Sequence, residues 1–144
     1  MIETNTKSIS SLLSENGHRV TPERRRVVEA VLAADGLFSI GDIVKLAQGI
    51  GRATVFRAMK LLVDLDLVCR VNLEDGSPRY RLRMAPKHHH HLVCTSCGSV
   101  EDFPDCNLSA VSASVAGRTN YQIHGHRLEL YGLCPVCRVS SGAN

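Results

Sequence analysis

The chain has few aromatic residues and no tryptophan, since three phenylalanines and three tyrosines make up only 4% of its 144 residues. Small domains that lack large aromatic side chains often depend on a bound metal for stability. No apolar run approaches the roughly 20 residues needed to span a bilayer, and the N-terminal segment MIETNTKSIS is polar. We therefore expect neither a membrane segment nor a secretory signal, and we predict a cytoplasmic protein.

Charge and metal-binding residue types are unevenly distributed. Residues 1–87 contain 14 Lys and Arg against 10 Asp and Glu, whereas residues 88–144 contain 3 against 4. Five of the six cysteines and six of the seven histidines lie in residues 88–144. The length allows one or two small domains, and the asymmetry predicts a basic N-terminal half and a metal-rich C-terminal half. In a reducing cytoplasm, paired cysteines indicate metal or redox chemistry rather than structural disulfides.

The N-terminal half has the signals of several short helices. SISSLLSEN predicts a first helix. Thr21 and Pro22 suit the N-cap and the first position of a second helix, and Ser39 suits the N-cap of a third, from Ile40 to Gln48. A fourth helix, RATVFRAMKLLVDLDL, follows a GIG break.

This fourth helix separates apolar from basic side chains. Apolar residues recur at helical spacing on one side, and the other side carries Arg52, Thr54, Arg57 and Lys60. A basic helix that follows a short helix and a glycine turn fits the recognition helix of a helix-turn-helix. The alternative is a core helix with a solvated basic face.

Two short strands are predicted after the helices. LVCRVNL and PRYRLR flank the turn EDGS, and the arginines of the second strand alternate with Tyr80 and Leu82, so that one face can lie along phosphates. Pro86 interrupts pairing and predicts a hinge at residues 84–87. We thus predict an α+β fold with a winged-helix DNA-binding domain at 1–83 and a small metal-binding domain at 88–144.

Two CxxC pairs, CTSC and CPVC, lie in the C-terminal half. Zinc prefers four tetrahedral ligands, and a two-residue spacer lets both thiolates of a pair reach one ion. The predicted ligands of a structural Zn²⁺ are Cys94, Cys97, Cys134 and Cys137. The alternative is a thiol redox pair, which a reducing compartment disfavours. Between the pairs, LSAVSASVAG predicts a helix and YQIHGHRLELYGL predicts a strand that returns to the second pair.

Four consecutive histidines precede the first CxxC pair in HHHHLV, which resembles a strand. Side chains alternate faces in a strand, so His88 and His90 should face one way and His89 and His91 the other. The run is therefore predicted to serve two metal sites, because neutral imidazole is the commonest metal ligand. The alternative is a solvated polyhistidine segment.

Each histidine pair needs further ligands. For His89 and His91 the candidates are Cys69 and an acid of VEDF, either Asp102 or Glu101, and a Cys/His/His/Asp set would suit Zn²⁺. Cys69 could instead be a small buried apolar residue. With Cys69 as a ligand, the ion would tie the two halves together across the hinge and select one placement of the domains.

For the other pair, His88 and His90, the candidate partners are His124, His126 and Cys106. His124 and His126 are two positions apart and are predicted to share one strand face. Cys106 could also be packed away or redox-active.

Four segments together resemble the ferric uptake regulator family: RVTPERRRVVEAVL, GRATVFRAMKLLVDLDLV, HHHHLVCTSCGSVEDF and GHRLELYGLCPVC. The likeness covers nearly the whole chain in the family's order and spacing. It implies a winged-helix domain, a C-terminal α/β dimerisation domain, and a homodimer that binds palindromic operator double-stranded DNA when loaded with metal, most often as a repressor.

The resemblance also implies roles for single residues. It assigns the four CxxC cysteines to structural zinc, His89 and His91 to the regulatory site, and His88, His90 and His126 to a second site. Where the family often has an acid for that second site, this chain has Ser109, and Cys106 is predicted to substitute.

In the recognition helix, Phe56 stands where the family usually has Tyr. We expect Arg52, Thr54 and Arg57 to approach bases. We expect Arg19 and Lys60 to approach phosphates.

Two departures distinguish this chain from iron- and peroxide-sensing members. Those members use a histidine before the third helix, where this chain has Leu37 and Phe38, and an acid in the last wing strand, which here is RYRLR. Zinc-responsive members take a ligand where Cys69 stands, and Asp102 matches an acid of several subfamilies. Because a thiolate favours zinc over ferrous iron, we predict a zinc-responsive regulator. An iron-, manganese- or peroxide-responsive member is the alternative.

Clustered cysteines and histidines are also typical of two other classes of protein. A zinc enzyme needs an open coordination position and a nearby acid or base, and neither a HExxH arrangement nor a nucleophile triad is present. We therefore predict that the chain is not an enzyme. A zinc-buffering or adaptor module without specific DNA binding is the other alternative.

Overall fold

The computed structural model describes residues 5–83, 88–104 and 106–142. The chain divides into two compact units, Met1–Met84 and Ala85–Asn144. The predicted hinge at residues 84–87 lies outside the described residues. Each unit contains both helices and strands, so the predicted α+β fold class is confirmed. Among the described helices, none has the length and apolar character to cross a bilayer.

The first unit consists of four helices followed by a hairpin. The helices are α1 (Thr6–Glu15), α2 (Pro22–Ala33), α3 (Ile40–Leu46) and α4 (Arg52–Asp64), and the antiparallel strands are β1 (Val68–Asn72) and β2 (Pro78–Leu82). This is the predicted winged-helix layout.

Three helix boundaries differ from the prediction, and one of them is the end of α4, which lies at Asp64 rather than Leu67. α1 begins at Thr6 because the side chain of Asn5 accepts a hydrogen bond from the Ser8 amide and caps the helix there. α3 ends at Leu46 rather than Gln48, because the chain turns so that the Ile50 amide donates to the Ala47 carbonyl at 3.0 Å.

Apolar side chains of the helices form the core of the first unit. Its most completely buried members on α2, α3 and α4 are Val27, Val28, Val31, Ile43, Val55, Met59 and Leu62. Burying each such side chain contributes about 1.5–3 kcal/mol. Because the apolar stripe of α4 faces this core, its basic side is directed outward.

A capping box fixes the start of α3. Ser39 Oγ accepts from the Asp42 amide at 3.1 Å, and Asp42 Oδ2 accepts from the Ser39 amide at 2.8 Å. The Ser39 backbone amide, followed by its hydroxyl, lowers the pKa of Asp42. The helix that precedes α4 is therefore held at its first turn by two reciprocal bonds.

A Ser39→Ala substitution should destabilise the first unit by about 1 kcal/mol, since it removes an N-cap acceptor. Urea unfolding followed by circular dichroism would measure the loss. Ser14→Ala, at an exposed position of α1, is the matched control and should change stability by less than about 0.5 kcal/mol. Equal effects of the two substitutions would contradict the capping role.

The second unit contains a three-stranded sheet and two helices. β3 (His90–Cys94) lies between β4 (Val100–Phe103), which is antiparallel to it, and β5 (Glu129–Gly132), which is parallel. α5 (Leu108–Thr119) follows β4, and α6 (Pro135–Ser140) follows β5.

The predicted strand YQIHGHRLELYGL is wrong in extent. Only Glu129–Gly132 forms a strand, because these four residues pair with His91 to Cys94 of the short strand β3. The structure describes residues 120–128 as irregular, so His124 and His126 do not share a strand face. Likewise, the strand of the histidine run begins at His90 rather than His88.

Candidate metal centres and recognition helix

The four CxxC cysteines converge at one end of the sheet, and we call them the four-cysteine cluster. Cys94 ends β3, and Cys134 caps α6, which contains Cys137. All four Sγ atoms lie within 4.8 Å of one another, and those of Cys97 and Cys134 are 3.8 Å apart. A tetrahedron with Zn–S bonds of about 2.3 Å separates its sulfurs by about 3.8 Å, whereas a disulfide needs about 2.05 Å. The spacing therefore suits one tetrahedral ion.

The protonation of these thiols supports the same conclusion. The amides of Cys97 and Cys134 lower the pKa of Cys94 to about 6, and the Cys134 nitrogen lies 3.3 Å from Cys94 Sγ. The Ser96 side chain acts to lower the pKa of Cys137, but the neighbouring thiols, Cys134 first, outweigh it and raise that pKa to about 12. Four crowded thiols cannot all ionise without a cation, so the donor set fits bound Zn²⁺.

The four histidines form two separate pairs of rings. The centroids of His88 and His90 are 4.9 Å apart, and those of His89 and His91 are 5.0 Å apart, both edge to face. This is the pairing that strand alternation predicts. We call His89 and His91 the sensor pair and His88 and His90 the second pair.

His91 lies between two carboxylates on the neighbouring strands. The antiparallel register places Asp102 opposite it, and the parallel register places Glu129 opposite it on the other side. Asp102 Oδ1 is 3.9 Å from His91 Nε2, and Glu129 Oε1 is 3.7 Å from His91 Nδ1. Glu101, the alternative acid, is exposed and one position along β4, on the opposite face. Asp102 is thus the acid of VEDF that faces the sensor pair.

Glu129 was absent from the predicted ligands. It lies in GHRLELYGL, but only the long-range register between β3 and β5 brings it to His91. The signal that the sequence offered was weaker, namely an acid within a segment predicted to be a strand in the metal-rich half. Cys69, the remaining predicted ligand of this site, is half-buried in β1 of the first unit, opposite Arg81 of the hairpin.

The second pair meets two further donors. Ligand atoms of His88, His90, Cys106 and His126 all lie within 4.8 Å of one another. Cys106 Sγ is 3.2 Å from His126 Nε2, and the His126 ring centroid is 5.2 Å from those of both His88 and His90. His124 belongs to none of the donor groups found among the described residues.

His90 has the properties of a metal ligand. It is 2% exposed, and its Nε2 atom is buried without a hydrogen-bond partner among the residues that the structure describes. Burial, followed by the neighbouring His88 and His126, lowers the pKa of His90. The ring is therefore neutral near pH 7, which is the form that binds metal.

α4 presents its polar side to solvent. Arg52, Phe56, Arg57 and Lys60 are exposed, and Thr54 is half-buried. Arg57 donates to Thr54 Oγ1 at 3.2 Å, and Lys60 forms an ion pair with Asp64 at 2.8 Å. Arg19, exposed before α2, accepts a hydrogen bond from Arg24 at its carbonyl. The predicted DNA-binding side chains are thus accessible on the first unit.

Known proteins resemble this chain over most of its length. The model of the ferric uptake regulator family matches residues 15–131. The ferric uptake regulation protein of Bacillus subtilis (strain 168) is 33% identical over 143 residues, covering 94% of this chain and 96% of that protein. The peroxide operon regulator of the same organism is 30% identical over 135 residues, covering 91% and 92%.

Solved structures have the same fold. A zinc uptake regulator complexed with zinc and DNA superposes with a TM-score of 0.76 at 21% identity, covering 96% of this chain and 95% of that one. The Vibrio cholerae ferric uptake regulator superposes with a TM-score of 0.57 at 32% identity, covering 88% and 99%. The match of the family model and the identity to the Bacillus protein show that this chain belongs to the ferric uptake regulator family.

Proposed function

We propose that this chain is a homodimeric repressor that binds operator DNA in response to zinc. Members of the family are transcription regulators rather than enzymes, and they bind metals. The observation that carries the proposal is the division of four adjacent histidines into two pairs, one of which faces Asp102. Such an arrangement provides a sensing centre separate from the four-cysteine cluster.

The four-cysteine cluster is proposed to hold a structural Zn²⁺. Four protein thiolates complete a tetrahedron and leave no open position for a substrate. The ion would therefore stabilise the second unit without taking part in sensing.

The sensor pair is proposed to bind the regulatory ion together with Asp102 and Cys69. Because Cys69 belongs to the first unit, the ion would select one placement of the winged helix relative to the second unit. A thiolate among the ligands favours zinc over ferrous iron. In the loop where iron and peroxide sensors have a histidine, this chain has Leu37 and Phe38, whose side chains have no donor atom, which supports zinc further.

The second pair is proposed to hold another ion with His126 and Cys106. The bare buried Nε2 of His90 and the close approach of Cys106 to His126 support this assignment. Three imidazoles and a thiolate are ligands that suit zinc.

Dimerisation would allow two copies of α4 to enter successive major grooves. Arg52, Thr54 and Arg57 are proposed to contact bases, and Phe56, 56% exposed, would meet apolar base edges such as the thymine methyl group. Arg19 and Lys60 would contact phosphates.

The second unit carries features that suit such a dimer. Its sheet and α5 expose the apolar side chains Leu92, Val111 and Leu130, which supports the burial of this surface against a second copy. No disulfide joins the cysteines that the structure describes, which supports a cytoplasmic location.

A Cys69→Ser variant tests the sensing site. It should remain dimeric and keep its structural zinc, but zinc should no longer increase its affinity for operator DNA, because a hydroxyl is a poor zinc ligand. Fluorescence anisotropy at buffered free zinc would measure this, with a duplex selected from a random library by the zinc-loaded protein. Asn72→Ser, in the same strand, is the control and should respond normally.

An unchanged zinc response of the Cys69→Ser variant would remove Cys69 from the sensor. The same titration of the unsubstituted protein with iron and manganese distinguishes the subfamilies, since a response to those ions instead of zinc would contradict zinc sensing.

The alternative of a zinc-buffering or adaptor module is tested by the salt dependence of DNA binding. A regulator should bind its selected duplex about 10³-fold or more tightly than random DNA at physiological salt. Equal affinities with the same salt slope would indicate only charge-driven binding. The exposed arginines of α4 favour the regulator.

A further inference from the structure

We infer that Glu129 and Tyr131 position His91 for metal binding, a role that rests on the proposed function of the sensor pair. Glu129 and His91 each have only 8% of their side chains exposed, and they meet through the parallel register of β3 and β5. A buried carboxylate is therefore directed at a buried imidazole from the strand next to it.

Tyr131 anchors the other oxygen of the same carboxylate. It lies two positions after Glu129 in β5 and thus on the same face of the strand. Its hydroxyl donates to Glu129 Oε2 at 3.4 Å, while Glu129 Oε1 lies 3.7 Å from His91 Nδ1. The Tyr131 hydroxyl therefore holds one oxygen of the Glu129 carboxylate, while the other oxygen faces the His91 ring.

The two nitrogens of His91 therefore face different acids. In a neutral imidazole one nitrogen carries the proton and the other has the lone pair that binds metal. A carboxylate at Nδ1 favours the proton on that nitrogen, which leaves the Nε2 lone pair on the side of Asp102 for the ion. Glu129 thus acts through His91, whereas Asp102 is the acid available as a ligand.

Substitutions in the full-length protein separate these roles. Glu129→Gln removes the charge but keeps the shape, and Tyr131→Phe removes only the hydroxyl. Glu101→Gln removes an equal charge from an exposed position on the opposite face of β4 and is the matched control. His91→Gln gives the effect of losing the ligand itself.

Two readouts are needed, both on protein whose four-cysteine cluster is filled with zinc. The first is the affinity for the next zinc ion, from competition with a chromophoric chelator, measured in a Cys106→Ser and His126→Gln background so that the second pair does not compete for that ion. The second is the tautomer of His91 before that ion is added, from ring nitrogen shifts in NMR spectra. We expect an Nδ1–H tautomer in the unsubstituted protein and a mixture of tautomers in the Glu129→Gln variant.

The affinity should fall about 10- to 100-fold in Glu129→Gln, as is typical when the partner behind a metal-bound histidine is lost. It should fall less in Tyr131→Phe and stay unchanged in Glu101→Gln. Retention of one zinc per chain shows that each variant is folded.

Three results would overturn parts of this scheme. Unchanged affinity and tautomer in Glu129→Gln, with a clear loss in His91→Gln, would refute the positioning role and leave the sensing site intact. A loss in Glu129→Gln as large as that in His91→Gln would make Glu129 a direct ligand. Unchanged affinity in His91→Gln would refute the proposed sensing site.

Discussion

A Cys134→Ser substitution is expected to abolish structural zinc binding and to unfold the second unit. Cys134 supplies a thiolate to the four-cysteine cluster, and its side chain also accepts the Cys137 amide at the start of α6. Zinc sites of this kind contribute about 10–16 kcal/mol, comparable to or larger than the total stability of a small domain. Elemental analysis would show the lost zinc, and circular dichroism would show the lost structure.

The weak core of the second unit is the reason for so large an effect. Among its described residues, the buried hydrophobic side chains are Val93 and Cys94, and neither α5 nor α6 contributes one. Ser114→Ala is the control, because it changes an exposed side chain of α5 in the same unit and outside every proposed metal site. A Cys134→Ser protein that retained its structural zinc and resisted proteolysis like the Ser114→Ala control would contradict the structural role.

An Arg57→Ala substitution is expected to weaken operator binding about 5- to 150-fold, because a bidentate arginine–base contact is worth about 1–3 kcal/mol. Arg57 is exposed on α4, and its hydrogen bond to Thr54 holds the guanidinium over the polar side of the helix. The loss should be concentrated at one base pair of each half-site. Anisotropy titrations against a set of duplexes with single substitutions would locate it.

Arg118→Ala is the matched control for this experiment. It removes the same charge from an exposed position of α5 in the second unit. This control should leave the preference among duplexes unchanged. If Arg57→Ala weakened all duplexes equally, Arg57 would be a phosphate contact, and if it weakened none, α4 would not be the recognition helix.

Features governed by neighbours in sequence were predictable. The N-caps Thr21 and Ser39 depend on bonds to residues three positions away, and they begin α2 and α3 as expected. Strand alternation likewise divided the histidine run correctly, since it depends only on local backbone geometry. The two-residue spacing within each CxxC pair is also local, and it correctly predicted that both cysteines of a pair lie in one cluster.

Features that depend on long-range pairing were not predictable. The sequence YQIHGHRLELYGL has strand character throughout, but the short β3 decides how much of it pairs, so β5 was predicted too long. The same parallel register brings Glu129 to His91, and no local pattern specifies it. α6 was also missed, although Cys134 and Pro135 are good N-cap and first-position residues, because CPVC was interpreted only as a metal-binding turn.

The repetition of histidine at residues 88–91, which leads into β3, makes the sensor pair tolerant of strand slippage in one direction. A slip of one residue normally exchanges every side chain between the two faces of a sheet. Here, a slip that moved the run one position towards the C-terminus would put His88 and His90 where the sensor pair stands, so two imidazoles would still face Asp102. Lys87 and His89 would then take the positions of His88 and His90 on the opposite face, so that the second pair would lose one imidazole. A slip in this direction would therefore damage the second centre before the sensor, whereas a slip in the opposite direction would put Leu92 in place of His91 and damage the sensor.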